Sequence, residues 1–238
     1  MNIALVGYGR MGHEIENVAH SRGHSIVLIV DKDNAADLDA VNLAKANVVI
    51  EFSQPDVAFE NVIRCLKAGI PVVSGTTGWI DKIDEARAIC LEKGTSFIHS
   101  TNFSIGVNIL FRLNSELARL MAGVKEYKVS IEEIHHTKKL DAPSGTAITL
   151  ASGISENHPL YDGWAFNPQA GTKSIPIESV REGDVPGTHT IVWDSDIDSI
   201  SLKHEARNRK GLALGAVVAA EFIYNRKGVY TMSEVLGF

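Results

Sequence analysis

The stretch EIHHTKKLDAPSGTA, residues 133–147, places His135, His136, Lys138 and Lys139 close together in a chain whose formal net charge is −6. Imidazole and ammonium groups hold carboxylates, and histidine is the side chain best able to deliver a proton near neutral pH. Asp141, Ala142 and Pro143 read as a turn, and SGTAITLASGI after them reads as a helix. Ser144, Gly145 and Thr146 then stand at a helix N-terminus, where free backbone N–H groups and the helix dipole favour an anion and Gly145 permits close approach. Two imidazoles, an ammonium and a helix terminus form a cradle for a small acidic molecule. The structural alternatives are a solvated basic turn and ordinary capping by Ser144 or Thr146. A metal is not expected. In the predicted strand KVSIEEIHH successive side chains face opposite ways, so His135 and His136 do not chelate one ion while the strand persists. A grouping of Glu132, Glu133 and His204 is the minor metal alternative.

A second motif names the chemistry that would act on such a molecule. VGYGRMG sets Gly7, Gly9 and Gly12 in the G-x-G-x-x-G spacing between the apolar run NIALV and a helical pattern in residues 13–22. Glycines here let the backbone turn tightly, approach a pyrophosphate and pack helix on strand, with the helix N-terminus facing the phosphates. Asp31, 19 residues beyond Gly12, ends the second strand, where a carboxylate accepts from ribose hydroxyls. A nicotinamide dinucleotide is the expected cofactor. Asp31 repels a ribose 2′-phosphate and Lys32 attracts one, so NADH is favoured over NADPH without excluding it. Arg10 reaches either the pyrophosphate or solvent. Gly75, Thr76 and Thr77 of SGTTG follow the fourth strand, as either a ligand-binding crevice edge or a plain loop.

The elements that must position these groups divide in two. Up to about residue 104, apolar runs at 2–6, 24–31, 46–53, 70–78 (running into a turn) and 95–101 alternate with helical patterns, the signature of an α/β, Rossmann-type doubly wound parallel sheet. Beyond it come a long helix, 106–124, and strand-like segments with hairpin turns, which predict an antiparallel or mixed sheet in a second, α+β domain. The apolar helix 211–228 is expected to return to the first domain. The division is therefore 1–104 completed by 210–238 for the dinucleotide, and 105–209 for the substrate. Residues 156–174, rich in Gly, Pro and Asn, read as a loop.

Acidic charge disfavours nucleic acid and anionic membrane as partners, and no apolar run approaches a membrane span. The first residues show no basic leader or signal-peptide core, so a cytoplasmic location is expected. Cys65 and Cys90 sit in no metal or redox spacing and read as small reduced hydrophobes.

EIHHTKKLDAPSGTA resembles the signature of the 4-hydroxy-tetrahydrodipicolinate reductase (dihydrodipicolinate reductase) family of diaminopimelate and lysine biosynthesis. The likeness continues through VGYGRMG, SGTTGW, TNFSIGVN, REGDVPGTHTI and HEARNRKGLALGAVVAA. It implies reduction, by NADH or NADPH and with loss of water, of the cyclic product of aspartate semialdehyde and pyruvate. It assigns His135 as proton donor, Lys139 as a further catalytic residue, and His136, Lys139, Ser144, Gly145 and Thr146 to the substrate carboxylates. The cofactor contacts it implies are Gly7, Gly9, Arg10, Met11, Gly12, Asp31, Lys32, Gly75, Thr76, Thr77, Ser100, Thr101, Asn102 and Phe103. It also implies a homotetramer built through the substrate domain. Two departures stand out: residues 31–46 are short for this family, and Ser100–Thr101 replaces the usual Ala-Pro before NFS. Competing readings are another two-domain amino- or keto-acid dehydrogenase, and a dinucleotide-sensing protein without turnover.

Overall fold

In the computed structural model, which describes residues 1–238, six short apolar runs pair into one parallel sheet. These are β1 (Asn2–Val6), β2 (Ser25–Val30), β3 (Val48–Glu51), β4 (Val72–Ser74), β5 (Ser96–His99) and β11 (Gly228–Tyr230), in the order β11-β5-β4-β3-β1-β2. All of β3 and β4 is buried, as strands covered on both faces must be. Alternate residues serve the two faces. Ile3, Leu5, Ile50 and Ile98 pack under α1 (Arg10–Ser21) and α7 (Lys210–Ile223), while Ala4, Val49, Val72 and Phe97 pack under α3 (Pro55–Lys67) and α4 (Ile83–Lys93).

One feature of this unit departs from expectation, and the short crossover agrees with it. The C-terminal helix ends at Ile223, and the chain then adds β11, parallel to β5, and α8 (Met232–Leu236). A three-residue strand is too short to show a period, so only its pairing reveals it. Between Asp31 and Ala46 the crossover is a 3-10 helix, Lys32–Asp37, and the four-residue α2 (Ala40–Leu43), capped by Asp39. Small residues seat α7: a side chain at Gly215 would lie 1.7 Å from the Phe103 carbonyl oxygen, so only glycine allows this approach. Burial pushes the Cys65 thiol up to about 12 and that of Cys90 up to about 11, leaving both unreactive. The unit comprises Met1–Ile105 with Arg209–Phe238.

Gly106–Asn208 forms the second unit. Its mixed sheet runs β10-β9-β6-β8-β7, built from β6 (Lys128–His135), β7 (Gly163–Phe166), β8 (Ser174–Arg181), β9 (Thr188–Asp194) and β10 (Ser199–Glu205). β8 is parallel to β6 and β7, whereas β9 is antiparallel to β6 and β10. β7 lies inside the segment expected to be a loop; its turn-forming neighbours mask an edge strand that β8 completes. Helices α5 (Ile105–Met121) and α6 (Gly145–Ser155) cover the apolar face, with Leu110, Leu150 and Ile154 against Ile131, Ile177, Ile191 and Trp193. No helix is long and apolar enough to cross a membrane.

Candidate active site

In a parallel sheet every strand ends at the same edge, so the segments following β1, β2, β4 and β5 meet there. These carry Gly7–Gly12, Asp31–Lys32, Gly75–Thr77 and Ser100–Phe103. The three motif glycines have separate causes. Gly7, at φ +90°, lies where a Cβ would come 2.1 Å from the Phe52 carbonyl oxygen, and one at Gly12 would come 2.6 Å from the Gly7 carbonyl oxygen. Gly9, at the start of α1, faces open space. Fold packing thus demands Gly7 and Gly12, while Gly9 leaves room for a ligand against the helix N-terminus; this fits a dinucleotide pyrophosphate. Arg10, Asp31, Lys32, Thr77 and Thr101 are exposed, and Met11 is half-buried. The Asp31 N–H donates to Asn34 Oδ1 at 2.7 Å, fixing the strand end. Three expected contacts face inward. Phe103 is buried core, the Thr76 hydroxyl donates to Glu51, and the Ser100 hydroxyl closes its own turn on the Asn102 carbonyl.

In the second unit the core rows of three strands change character at one end. Along β6 the buried row is Val129, Ile131, Glu133, His135; along β9 it runs Trp193, Ile191, His189. Pairing sets Ile131 opposite Ile191 and Glu133 opposite His189, and in β8 it sets His135 beside Arg181. Glu133 is completely buried. Its Oε1 accepts from the Ser144 N–H and from Arg181 Nη2, both at 3.0 Å, while Oε2 stands 3.2 Å from His135 Nδ1. Burial would raise this carboxyl, but His135, Ser144 and Arg181 outweigh it and hold it far below the ordinary carboxylate range. His135 Nδ1 is the nearest basic nitrogen to Oε2, with His189 Nε2 farther off at 3.8 Å. Gly187 makes room for the ring, since a Cβ there would lie 3.0 Å from His135 Nε2.

His189 joins this cluster through a 3.1 Å hydrogen bond between its Nε2 and Ser144 Oγ. Burial and the neighbouring His135 push it down to about 4, so it is neutral at pH 7. A histidine depressed in the fold costs stability as pH falls from its ordinary 6.5 toward 4, because the unfolded chain takes up the proton first. The expected loss is about 3 kcal/mol. Denaturant unfolding at pH 7 and pH 4.5 checks it: His189→Asn should shrink the difference, and an unchanged difference would reject the assignment.

The basic run is drawn apart. His135 points into the cluster, whereas His136 follows the strand end and is tied by its N–H to the Val185 carbonyl. Lys138 is exposed. Lys139 Nζ pairs with both oxygens of Asp141 at 2.8 Å, a solvent-facing partnership of the kind worth little and readily exchanged for another carboxylate. Ser144 is the helix cap expected as the alternative: its Oγ accepts from the Ala147 N–H and its own N–H serves Glu133. Gly145 is exposed at the first turn, and Thr146 is half-buried beside it.

Glu132 is exposed on the opposite face from Glu133, so the grouping of Glu132, Glu133 and His204 does not assemble. Ligand atoms of Glu133, His135 and His189 do lie within 4.8 Å of one another. The carboxylate, however, already carries a guanidinium, and His135, His204 and Lys139 all oppose positive charge at His189. This donor set suits holding a proton better than a dication. Arg181, His189, Gly187 and Glu51 were not singled out from the sequence. Strand alternation could have grouped Glu133 with His135; no local signal sets the register that adds His189 and Arg181.

Comparison with known proteins agrees over both units. The model of the dihydrodipicolinate reductase N-terminus matches residues 1–103, and that of the dihydrodipicolinate reductase C-terminus matches residues 106–236. A 4-hydroxy-tetrahydrodipicolinate reductase of Christiangramia forsetii is 50% identical over 236 residues, covering 99% of this chain and 98% of its own. One from Thermosipho africanus is 34% identical over 238 residues, with coverage of 99% and 98%. In fold, the chain is similar to a dipicolinate-bound dihydrodipicolinate reductase from Paenisporosarcina sp. TG-14, with a TM-score of 0.79 at 24% identity and 98% of each chain covered. With a dinucleotide edge in one unit, a buried acid–base cluster in the other and family matches along both, the chain belongs to the 4-hydroxy-tetrahydrodipicolinate reductase (dihydrodipicolinate reductase) family of nicotinamide-dependent oxidoreductases.

Proposed function

We propose that this chain reduces 4-hydroxy-tetrahydrodipicolinate to tetrahydrodipicolinate with NADH or NADPH and loss of water, NADH being the favoured donor. The observation that carries the reading is the pairing of His135 with the ionised, fully buried Glu133 beside the N-terminus of α6. The nicotinamide cofactor supplies a hydride when bound. Gly7, Gly9 and Gly12 would seat its pyrophosphate, Asp31 its ribose, and the exposed parts of Gly75–Thr77 and Ser100–Asn102 the rest of the dinucleotide. His135 holds the proton that balances the hydride, and Glu133 keeps that imidazole oriented. Lys139, His136, Gly145 and Thr146 hold the substrate carboxylates, with Lys139 exchanging Asp141 for substrate. Ser144 acts behind them, as the cap that joins α6 to Glu133.

Residues 1–104 with 210–238 are assigned to the dinucleotide and 105–209 to the substrate and to a homotetramer; a cytoplasmic location accompanies this reading. NADH preference rests on the exposed Asp31 carboxylate at the end of β2. Asp31→Asn should raise the NADPH to NADH ratio of kcat/KM by roughly tenfold by removing charge repulsion. An unchanged ratio would shift the preference to other residues.

The test is loss of NADH and NADPH absorbance, in parallel, with substrate generated in place by the preceding synthase from pyruvate and aspartate semialdehyde. Turnover supports the reaction and ranks the donors. Measurable NADH binding without turnover under either condition would overturn it in favour of dinucleotide sensing.

A further inference from the structure

Glu51 is a second fully buried carboxylate, and the mechanism above makes no use of it. It ends β3, paired on one side with Val6 of β1 and on the other with Ser74 of β4. No lysine, arginine or histidine forms an ion pair with it. Instead Oε1 accepts from the Ser53 N–H at 2.9 Å, the Ser53 hydroxyl at 2.5 Å and the Thr76 hydroxyl at 2.7 Å, and Oε2 accepts from the Ser74 hydroxyl at 2.6 Å. An isolated carboxylate is expensive to desolvate, and hydrogen bonds are what make this one tolerable. An apolar residue would serve the sheet core at less cost, so the reason for Glu51 lies in what it holds.

What it holds is the turn after β4. The Thr76 carbonyl is also taken, by Trp79 Nε1 at 2.8 Å and His99 Nε2 at 3.0 Å, and the Gly75 N–H donates to the Glu51 carbonyl at 2.9 Å. Gly75 is pressed on the Phe52 ring, where a Cβ would come within 2.2 Å. Thr76 therefore has neither hydroxyl nor carbonyl to offer a ligand. It is the bracket that locks the turn to β3, and the exposed Thr77 is what the turn presents.

We propose that Glu51 is a positioning residue for the dinucleotide: acting through Thr76 and Ser53, it fixes the loops after β3 and β4 in the conformation that receives the cofactor. This rests on the function proposed above and identifies a determinant of cofactor affinity that touches no ligand. Its signature is a change in dinucleotide binding that leaves the substrate site, built in the other unit, unchanged.

The experiment is NADH titration, followed by protein fluorescence, of the full-length wild type, Glu51→Gln, Thr76→Val and the double variant, with KM measured for both substrates. Glu51→Gln keeps the side chain's shape and should raise the NADH Kd about tenfold and the NADH KM with it, leaving the KM for the acidic substrate within about twofold. Thr76→Val should do the same, and the double variant should be no worse than either single one. An NADH Kd for Glu51→Gln within twofold of wild type overturns the proposal, as do additive effects in the double variant or a parallel rise of both KM values. Should Glu51→Gln fail to fold, Thr76→Val alone decides: an unchanged NADH Kd overturns the proposal. A wild type that binds no NADH overturns the function reading first, and this proposal with it.

Discussion

His135→Gln is expected to lower kcat by about 10²–10⁴-fold, the usual contribution of a positioned general acid. The ring is buried with Nδ1 on Glu133 and Nε2 toward Gly187, so an amide can fill much of its space but does not deliver a proton near neutral pH. Dinucleotide affinity should be unchanged, because the glycine edge is built entirely within the other unit. The measurements are kcat, its pH profile and the NADH Kd. Turnover within threefold of wild type, with the profile unaltered, would remove His135 from the role of acid.

The second large effect is expected from Glu133→Ala, which should cost about 3 kcal/mol of stability and most of the activity. Removing the carboxylate strands Arg181 beside a buried site and leaves the Ser144 N–H without its acceptor. Arg181 keeps the Val180 and Asp141 carbonyls, which holds the cost to the lower part of the range for a broken buried pair. The pH dependence follows from the sign of the shift. Glu133 lies below its ordinary 4.5 in the fold, so its stabilisation is fully present above that value and is lost as pH falls further. Acid unfolding of the alanine variant should accordingly be shallower below pH 4.5. Glu133→Gln separates shape from charge: it should retain more stability than the alanine variant yet share its low kcat. An alanine variant that unfolds like wild type at pH 7 would show that the cluster does not brace this unit.

Much of this was legible in the residues. Period-two and helical patterns, glycine spacing and the acid after the second strand sufficed for the parallel sheet, the dinucleotide loop and the mixed second sheet, because each is a local regularity of one segment. The misses share a cause. β7 and β11 are short strands whose hydrogen bonds are completed by β8 and β5, and nothing within four or three residues advertises a partner elsewhere in the chain. The inward turn of the Thr76 hydroxyl and the Phe103 ring was not legible, since a segment's position at a sheet edge does not say which of its side chains turn inward.

The chemistry divides the same way. The sequence by itself determined that His135 ends a strand, that Ser144 begins a helix and that glycines line the first turn, since neighbours in the chain decide these. Tertiary structure alone brought Arg181 and His189 to Glu133, 48 and 56 residues away, and brought Ser74 and Thr76 of the neighbouring strand and its turn to Glu51. A buried carboxylate is only as stable as the donors that surround it. Strand register and crossover, settled by the packing of the apolar rows beneath, decided which donors those would be.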